Sequence, residues 1–225
     1  MAAVFTAVAL LVWARLGPAP LAAGFFTVLA GLALQANAAW AHSLDTSVQA
    51  WVSAHRSPVA KADASAVFGA LGEPRYVAVF AVACGILIAV EARSAIRSVV
   101  LVGAVGVGVV IEQTLKTMVG HGFPSGHVMG TATLFGLIAV CLATGRRLAV
   151  RATLAVPVLA GVVFMAFLAV YCGAHTISAV IGGTVLGAAL VALGTAVVFA
   201  VAARPPPVRR PRTTGTAVRP RAVAA

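Results

Sequence analysis

Long apolar runs separated by short polar segments dominate the chain. They extend approximately over residues 21–41, 76–90, 96–118, 128–144, 150–172 and 177–203. A helix needs about 20 mostly apolar residues to cross the hydrocarbon core of a bilayer, so about six crossings would use roughly 120 residues and leave short loops. The pattern therefore predicts an all-α, polytopic membrane helical bundle with a single transmembrane domain over residues 21–203.

A shorter apolar stretch precedes these runs. Residues 1–16 read MAAVFTAVALLVWARL, and Gly17, Pro18 and Pro20 follow at once as helix breakers. The stretch has no basic start region of the kind that opens a secretory signal peptide. We predict an N-terminal apolar segment over residues 1–20, and the sequence leaves open whether residues 1–16 cross the membrane or lie in it.

The most polar stretch before the C-terminal tail covers residues 42–75. Within it, apolar residues repeat at helical spacing: Leu44, Val48, Trp51 and Val52. This spacing favours an amphipathic helix that lies at the membrane interface, with Trp51 as its anchor. We predict a structured surface loop here, not a separate domain.

Composition supports a membrane protein. The chain is 61% hydrophobic and 9% charged, and its mean hydropathy is +1.05. These values exclude a soluble globular protein and a disordered chain. The three cysteines lie inside apolar stretches without pairing or metal-ligand spacing, so we interpret them as small core residues: Cys84, Cys141 and Cys172.

The positive charge reports orientation. The chain has 16 Lys and Arg residues against 5 acidic residues, a balance that is also found in nucleic-acid-binding proteins. Here, however, most of the basic residues lie in two short loops, EARSAIR and GRRLAVR, and in the tail. Basic loops favour the cytoplasmic side. Residues 42–75, 119–127 and 173–176 then share the opposite, non-cytoplasmic face. All five histidines fall on or beside that face: His42, His55, His121, His127 and His175.

The tail, residues 204–225, is rich in proline and contains six arginines. Such a composition is too polar to pack, so we predict a disordered cytoplasmic segment. Its expected role is that of a topology anchor attracted to anionic lipid.

Glu112 and Lys116 form the first chemically suggestive feature. They are four residues apart, share a helix face and can pair, which makes an ionic couple tolerable near the membrane boundary. One interpretation is a structural ion pair. In the other, Lys116 supplies positive charge to an anionic substrate, and Glu112 orients the ammonium group or tunes its proton affinity.

The turn HGFPSGH, residues 121–127, precedes an apolar helix. Free backbone N–H groups and the dipole at a helix start favour an anion, so the turn predicts a phosphate site. Gly126 allows close approach of the backbone, Ser125 can donate a hydrogen bond, and His127 can deliver a proton near neutral pH. A plain helix-start turn with an incidental histidine is the alternative.

His175 lies in GAHTIS, residues 173–178. The topology puts His127 and His175 at the same membrane level, each at the start of a span, and two imidazoles can divide the roles of nucleophile and acid. A zinc site built from His121, His127 and His175 has no supporting cysteine or acidic cluster, so we expect no metal and no cofactor.

The segments FPSGH and VYCGAHTISAVIGG, with Lys116 upstream, resemble the type 2 phosphatidic acid phosphatase (PAP2) superfamily of membrane lipid phosphatases. The resemblance extends from about Leu44 to the last span. It implies a six-helix core like that of vanadium haloperoxidases, with a metal-independent site on the non-cytoplasmic face. It also implies that His175 attacks phosphorus to form a phosphohistidine and that His127 protonates the leaving group. The implied phosphate-binding groups are Lys116, Ser125 and the backbone of Gly126.

The chain departs from the family motifs at four positions. Phe123 stands where the first motif has arginine, and in the third motif the positions of Ser, Arg and Asp read Leu168, Ala169 and Ala179. The phosphate-binding arginines and the carboxylate that orients the nucleophile are therefore missing. Loss of an orienting Asp costs about 10⁴-fold in a serine protease triad. Glu112 and His121 are the auxiliary candidates for compensation.

We therefore expect an enzyme, a membrane lipid phosphate phosphatase that hydrolyses a phosphomonoester or diphosphate of a lipid. The alternatives are a catalytically impaired PAP2-like protein that binds phospholipid head groups, or a small transporter that uses Glu112 and Lys116 as a relay. The expected partners are a phosphorylated lipid and membrane lipids, with no nucleic acid. The composition suggests a bacterial inner membrane. The sequence does not determine which lipid is the substrate; the candidates include phosphatidic acid, phosphatidylglycerol phosphate and polyprenyl phosphates or diphosphates. It does not determine the oligomeric state either.

Overall fold

The computed structural model describes residues 17–72, 74–92, 94–120 and 122–202. Helices account for 88% of this described part, which contains no strand. In chain order they are α1 (Pro18–Gln35), α2 (Ala39–His55), α3 (Pro58–Gly72), α4 (Pro74–Ala92), α5 (Ala95–Val119), α6 (Gly126–Ala143), α7 (Leu148–Tyr171) and α8 (Ile177–Ala202). The predicted all-α architecture is confirmed.

Five of these helices are long and apolar enough to cross a membrane: α1, α5, α6, α7 and α8. Helices α3 and α4 meet the same criterion together, with a bend of 47° between them, which would raise the number of spans to six. Large apolar side chains on the outside of the bundle are exposed, as Val79, Val110 and Leu148 illustrate. Extensive apolar surface of this kind suits contact with lipid. The protein is an integral membrane protein, as predicted.

Helix α6 lies at the centre of the bundle and packs against α5, α7 and α8. Small residues let α6 and α8 approach closely: a Cβ atom placed on Gly187 of α8 would lie 3.1 Å from the carbonyl oxygen of Met129 on α6. Close backbone contact through small residues is a usual source of helix association in membranes. It fixes the start of α6 relative to the start of α8, where the candidate site is formed.

Several predicted boundaries were wrong in informative ways. Helix α1 begins at Pro18, not Leu21, because proline is well tolerated in the first turn of a helix. The first span ends at Gln35 and does not continue to residue 41. The break is fixed by Asn37, whose Nδ2 donates to the carbonyl oxygen of Val119 at the end of α5, 3.3 Å away.

The predicted surface loop over residues 42–75 is instead most of α2 and the whole of α3. The expected amphipathic helix exists within α2, but its apolar residues point in two directions. Val52 is buried in the core, whereas Trp51 is 64% exposed. Helix α3 buries Phe68 in the same core, a role that the polar character of the segment concealed.

Residues 1–16, Arg93, His121 and the tail from residue 203 onwards lie outside the described residues. The predictions for the N-terminal segment, the auxiliary role of His121 and the disordered tail therefore stay predictions.

Replacement of Gly187 by alanine should destabilise the bundle. The added methyl group would lie 2.5 Å from the Cβ atom of Ala132, and overpacking of this kind typically costs about 1–3 kcal/mol. Gly130→Ala is the matched control, since a Cβ atom there meets nothing within 4 Å and alanine is the better helix former. Thermal unfolding of the purified protein in detergent should show a lower midpoint for Gly187→Ala only; equal midpoints would contradict this packing.

Candidate functional site

The structure brings His127 and His175 together at one end of the bundle. His127 is the second residue of α6, and His175 lies in the turn that leads into α8. The ring centroids are 5.9 Å apart, with an angle of 58° between the ring planes. The two imidazoles are thus near enough to act on one small substrate group.

Helix α3 closes one side of this pair. The ring of Phe68 stacks on His127, with centroids 4.2 Å apart and planes inclined by 17°. It meets His175 edge-on at 6.2 Å. Sequence reasoning missed Phe68 because no motif marks it, although it contacts both histidines and limits their access to water.

Gly72, at the end of α3, gives the ring of His127 its space. A Cβ atom at position 72 would overlap the imidazole, so any residue with a side chain would displace His127 or α3. Gly126 is constrained in the same way by the carboxylate of Glu112. In the structure, the close approach that Gly126 allows is made by Glu112.

Glu112 and Lys116 form an ion pair on α5. The Glu112 side chain is 8% exposed and that of Lys116 is 30% exposed, so the carboxylate is buried while the ammonium group reaches the edge of the site. A buried charge requires such a partner, because desolvation of an unpaired carboxylate is costly. The pair therefore holds a positive charge beside the start of α6.

Ser125 occupies the position before the first residue of α6 and is fully buried. Its backbone N–H donates to the carbonyl oxygen of Ala179 on α8 at 2.8 Å, which ties the starts of the two helices together. Its Oγ atom has no hydrogen-bond partner among the described residues. A buried hydroxyl without a partner is uncommon and, at the start of a helix, is suited to an anion.

His175 is held through its backbone as well as its ring. Its N–H donates to the carbonyl oxygen of Ala169 at 3.1 Å, and its own carbonyl oxygen accepts from Nε2 of Gln49 at 3.0 Å. Burial, together with the positive charges of His127 and Lys116, lowers the pKa of the imidazole from 6.5 to about 4, against the opposing effect of a hydrogen bond to the backbone of Gly122. His175 is therefore neutral at pH 7, the form in which a ring nitrogen has a free lone pair.

The positions that depart from the PAP2 motifs lie inside the protein. Phe123, Ala169 and Ala179 are 3%, 0% and 1% exposed. The ring of Phe123 packs against Gly182, and the carbonyl oxygens of Ala169 and Ala179 hold the two turns of the site. These positions are part of the packing around the site.

Polar side chains on α2 reach the turn that carries His175: Asp45, Gln49 and Arg56. Sequence reasoning missed them, because their partners are more than a hundred residues away along the chain. Their only sequence signal is spacing, since intervals of four and seven residues place them on one helix face. Within the described ranges, no group of three or more His, Cys, Asp or Glu side chains could hold a metal ion.

Gly72→Ala should disturb the site from outside any motif. Its methyl group would overlap the ring of His127, so we expect the free energy of unfolding to fall by about 1–3 kcal/mol. The unfolding midpoint in detergent should be lower as a result. Gly69→Ala, on the same helix with nothing within 4 Å of the added Cβ atom, is the control and should match the wild type. A Gly72→Ala protein as stable as Gly69→Ala would show that His127 does not pack on α3.

The lowered pKa of His175 should appear in the pH dependence of stability. The folded pKa of about 4 lies below the ordinary value of 6.5, so the neutral ring favours the folded state above pH 6.5, and this contribution is lost as the pH falls towards 4. Between these values the unfolding midpoint of the wild type should fall more steeply than that of His175→Gln. The control His55→Gln, on an exposed part of α2, should retain the wild-type slope. Parallel profiles for wild type and His175→Gln would contradict the assignment.

Comparison with known proteins agrees with this arrangement. Residues 108–202 match the family model described as the PAP2 superfamily, and this range contains Glu112, Lys116, Ser125, His127 and His175. No curated protein sequence gives a significant match. The crystal structure of a transmembrane PAP2-type phosphatidylglycerolphosphate phosphatase from Bacillus subtilis superposes with a TM-score of 0.71 at 19% identity, covering 80% of this chain and 96% of that one. The resemblance predicted from the motifs is confirmed: residues 108–202 carry PAP2 superfamily sequence, and the described helices form a PAP2 membrane fold.

Proposed function

We propose that this protein is a membrane lipid phosphate phosphatase that works through a phosphohistidine on His175. The observation that carries the proposal is the grouping of two histidines 5.9 Å apart with the ammonium group of Lys116 and the unpartnered, buried hydroxyl of Ser125. This set supplies a neutral nucleophile, a proton donor and phosphate-binding groups in one place. The PAP2 match supports the reaction class.

The proposed reaction has two steps. A ring nitrogen of His175 attacks phosphorus while the bond from phosphorus to the lipid oxygen breaks, and His127 donates its proton to the leaving oxygen. His127 then removes a proton from water, and the resulting hydroxide attacks phosphorus as the P–N bond breaks. Inorganic phosphate leaves and both histidines return to their starting states. Gly122, whose backbone hydrogen-bonds to the ring of His175, lies near the Nδ1 atom, so we propose Nε2 as the attacking atom.

Lys116, Ser125 and the N-terminal backbone of α6 are the proposed phosphate-binding groups. The oriented N–H groups of a helix start and a lysine charge stabilise an oxyanion without the bidentate arginines of the family motif. Because arginine binds phosphate with better geometry than lysine, we expect slower turnover than the full motif would give. We place the site on the non-cytoplasmic face of a bacterial inner membrane, with the C-terminus cytoplasmic, from the positions of the basic loops.

A second candidate function is binding of phospholipid head groups without turnover. It is favoured by the side chains of Phe123, Ala169 and Ala179, which are buried and supply neither the arginines nor the carboxylate of the family motifs. The same phosphate-binding groups would then hold a head group, and His175 would form no covalent bond.

Phosphate release by the detergent-purified protein separates the two functions. Phosphatidylglycerolphosphate is the first substrate, since the structural relative is named for it, followed by phosphatidic acid and a polyprenyl phosphate, all without added metal. We expect turnover that His175→Ala lowers by roughly 10³-fold or more, as is usual when a nucleophile is removed. Labelled phosphate from the substrate should become attached to the wild type through an acid-labile bond. The His175→Ala variant should carry no such label.

His55→Ala controls for the loss of a histidine, because His55 lies on α2 beside Trp51, away from the paired rings. It should retain wild-type turnover. A folded wild type that releases no phosphate from any of the three lipids would refute the phosphatase. Binding of vesicles containing phosphatidylglycerolphosphate, weakened by Lys116→Ala, would then support the second function.

A further inference from the structure

Helix α2 contacts the turn that carries His175 at three places. Nε2 of Gln49 donates to the carbonyl oxygen of His175 at 3.0 Å. Arg56 donates from its guanidinium to the carbonyl oxygen of Tyr171, at the end of α7. Asp45 accepts from the backbone N–H of Ser178 at 2.9 Å and from its hydroxyl at 2.6 Å, at the start of α8. Contacts therefore reach the turn before, at and after the histidine.

One face of α2 makes all these contacts. Residues 45 and 49 lie about 40° apart around a helix of 3.6 residues per turn, and Arg56 follows directly at the C-terminal end of the helix. Val52, on the same face as Asp45 and Gln49, is buried in the core with Cys172. The opposite side of α2 exposes Trp40, Leu44 and Trp51. The contacts of α2 with the turn are therefore made from one side of the helix.

The charges on this face match the helix ends that they contact. Arg56 places a cation at the negative end of the α7 dipole and satisfies a carbonyl that the helix leaves without a partner. Asp45 places a carboxylate at the positive end of α8 and satisfies a free N–H there. Neutral Gln49 contacts His175 between them, where neither dipole requires a charge.

Within the turn itself, the backbone N–H of His175 donates to the carbonyl oxygen of Ala169. Gly173 has φ +79°, a conformation that favours glycine, and a Cβ atom there would lie 3.4 Å from Nη1 of Arg56. The position where the family motif has a carboxylate for the nucleophile is Ala179, which has no polar side chain. A displacement of a reacting group by about 1 Å can cost about 10²-fold in rate, so the position of this backbone matters for the reaction.

We propose that Asp45, Gln49 and Arg56 are positioning residues that hold His175 for attack through the backbone of its turn, in place of the missing motif carboxylate. Their observed hydrogen bonds go to the backbone of the turn and, for Asp45, also to the hydroxyl of Ser178. The inference rests on the proposed phosphatase reaction, and the consequence is that turnover depends on α2, a helix outside the matched family range of residues 108–202.

The test uses the full-length protein in detergent with phosphatidylglycerolphosphate as substrate. Gln49→Ala should lower kcat by about 10-fold to 10²-fold and leave KM nearly unchanged, because positioning of the nucleophile is lost and phosphate binding is kept. Gln49→Glu should be worse than Gln49→Ala, since it sets a carboxylate against the carbonyl oxygen of His175. Arg56→Met should lower kcat, and Arg56→Lys should recover part of the loss. The control is Ser53→Ala, whose hydroxyl contacts only the carbonyl oxygen of Ala50.

Amide hydrogen exchange of residues 172–178 gives a second readout that needs no turnover. Gln49→Ala should speed exchange in this segment, while Ser53→Ala should leave it as in the wild type. An active wild type in which Gln49→Ala changes neither kcat nor exchange would overturn the inference and leave the phosphatase standing. If the wild type is inactive but Gln49→Ala still speeds exchange in the turn, the phosphatase is refuted. The contact of α2 with the turn would then be real, but the proposed positioning role in catalysis would be wrong. A kcat loss that Ser53→Ala reproduces would indicate general damage to α2 and would also overturn the inference.

Discussion

The site depends on one close contact, in which the buried carboxylate of Glu112 packs against the backbone of Gly126. Glu112 loses its hydration inside a membrane bundle, so it needs the ammonium group of Lys116 as a partner. It also needs the absence of a side chain at Gly126, the first residue of α6. These requirements fix α5 against α6 and place Ser125 and His127 beside the ion pair. The other helices meet the site around this fixed edge.

Three further elements complete the site, and each uses a different interaction. Helix α3 supplies an aromatic face through Phe68 and space through Gly72. Helix α8 ties its first turn to Ser125 by a backbone hydrogen bond. Helix α2 fixes the turn of His175 by polar side chains. Ring contacts, a backbone hydrogen bond and side-chain hydrogen bonds thus each contribute one part of the site.

The sequence allowed the membrane bundle and one part of the site to be predicted. Long apolar runs determine spans because the bilayer leaves a helix few alternatives, and Lys116, Ser125 and His127 lie within one short segment whose motif is local. Phe68 and Gln49 were not predicted. Gln49 lies 126 residues from its partner His175, and a contact over such a distance leaves no periodicity or motif in a single sequence. The break at residues 36–38 was missed because it contains no strong helix breaker, and Asn37 there makes a tertiary contact with Val119.

The burial of Phe123 has a consequence for the evolutionary history open to this chain. Its ring belongs to a core cluster with Leu29, Met129 and Leu186, and it lies against Gly182. An arginine introduced at position 123 would remove the buried ring from this cluster, and loss of a buried phenylalanine side chain typically costs about 3–5 kcal/mol. A single reversion to the family motif would therefore be harmful before it could be useful. Neighbouring positions would have to change first, so the departure from the motif is difficult to reverse in a single step.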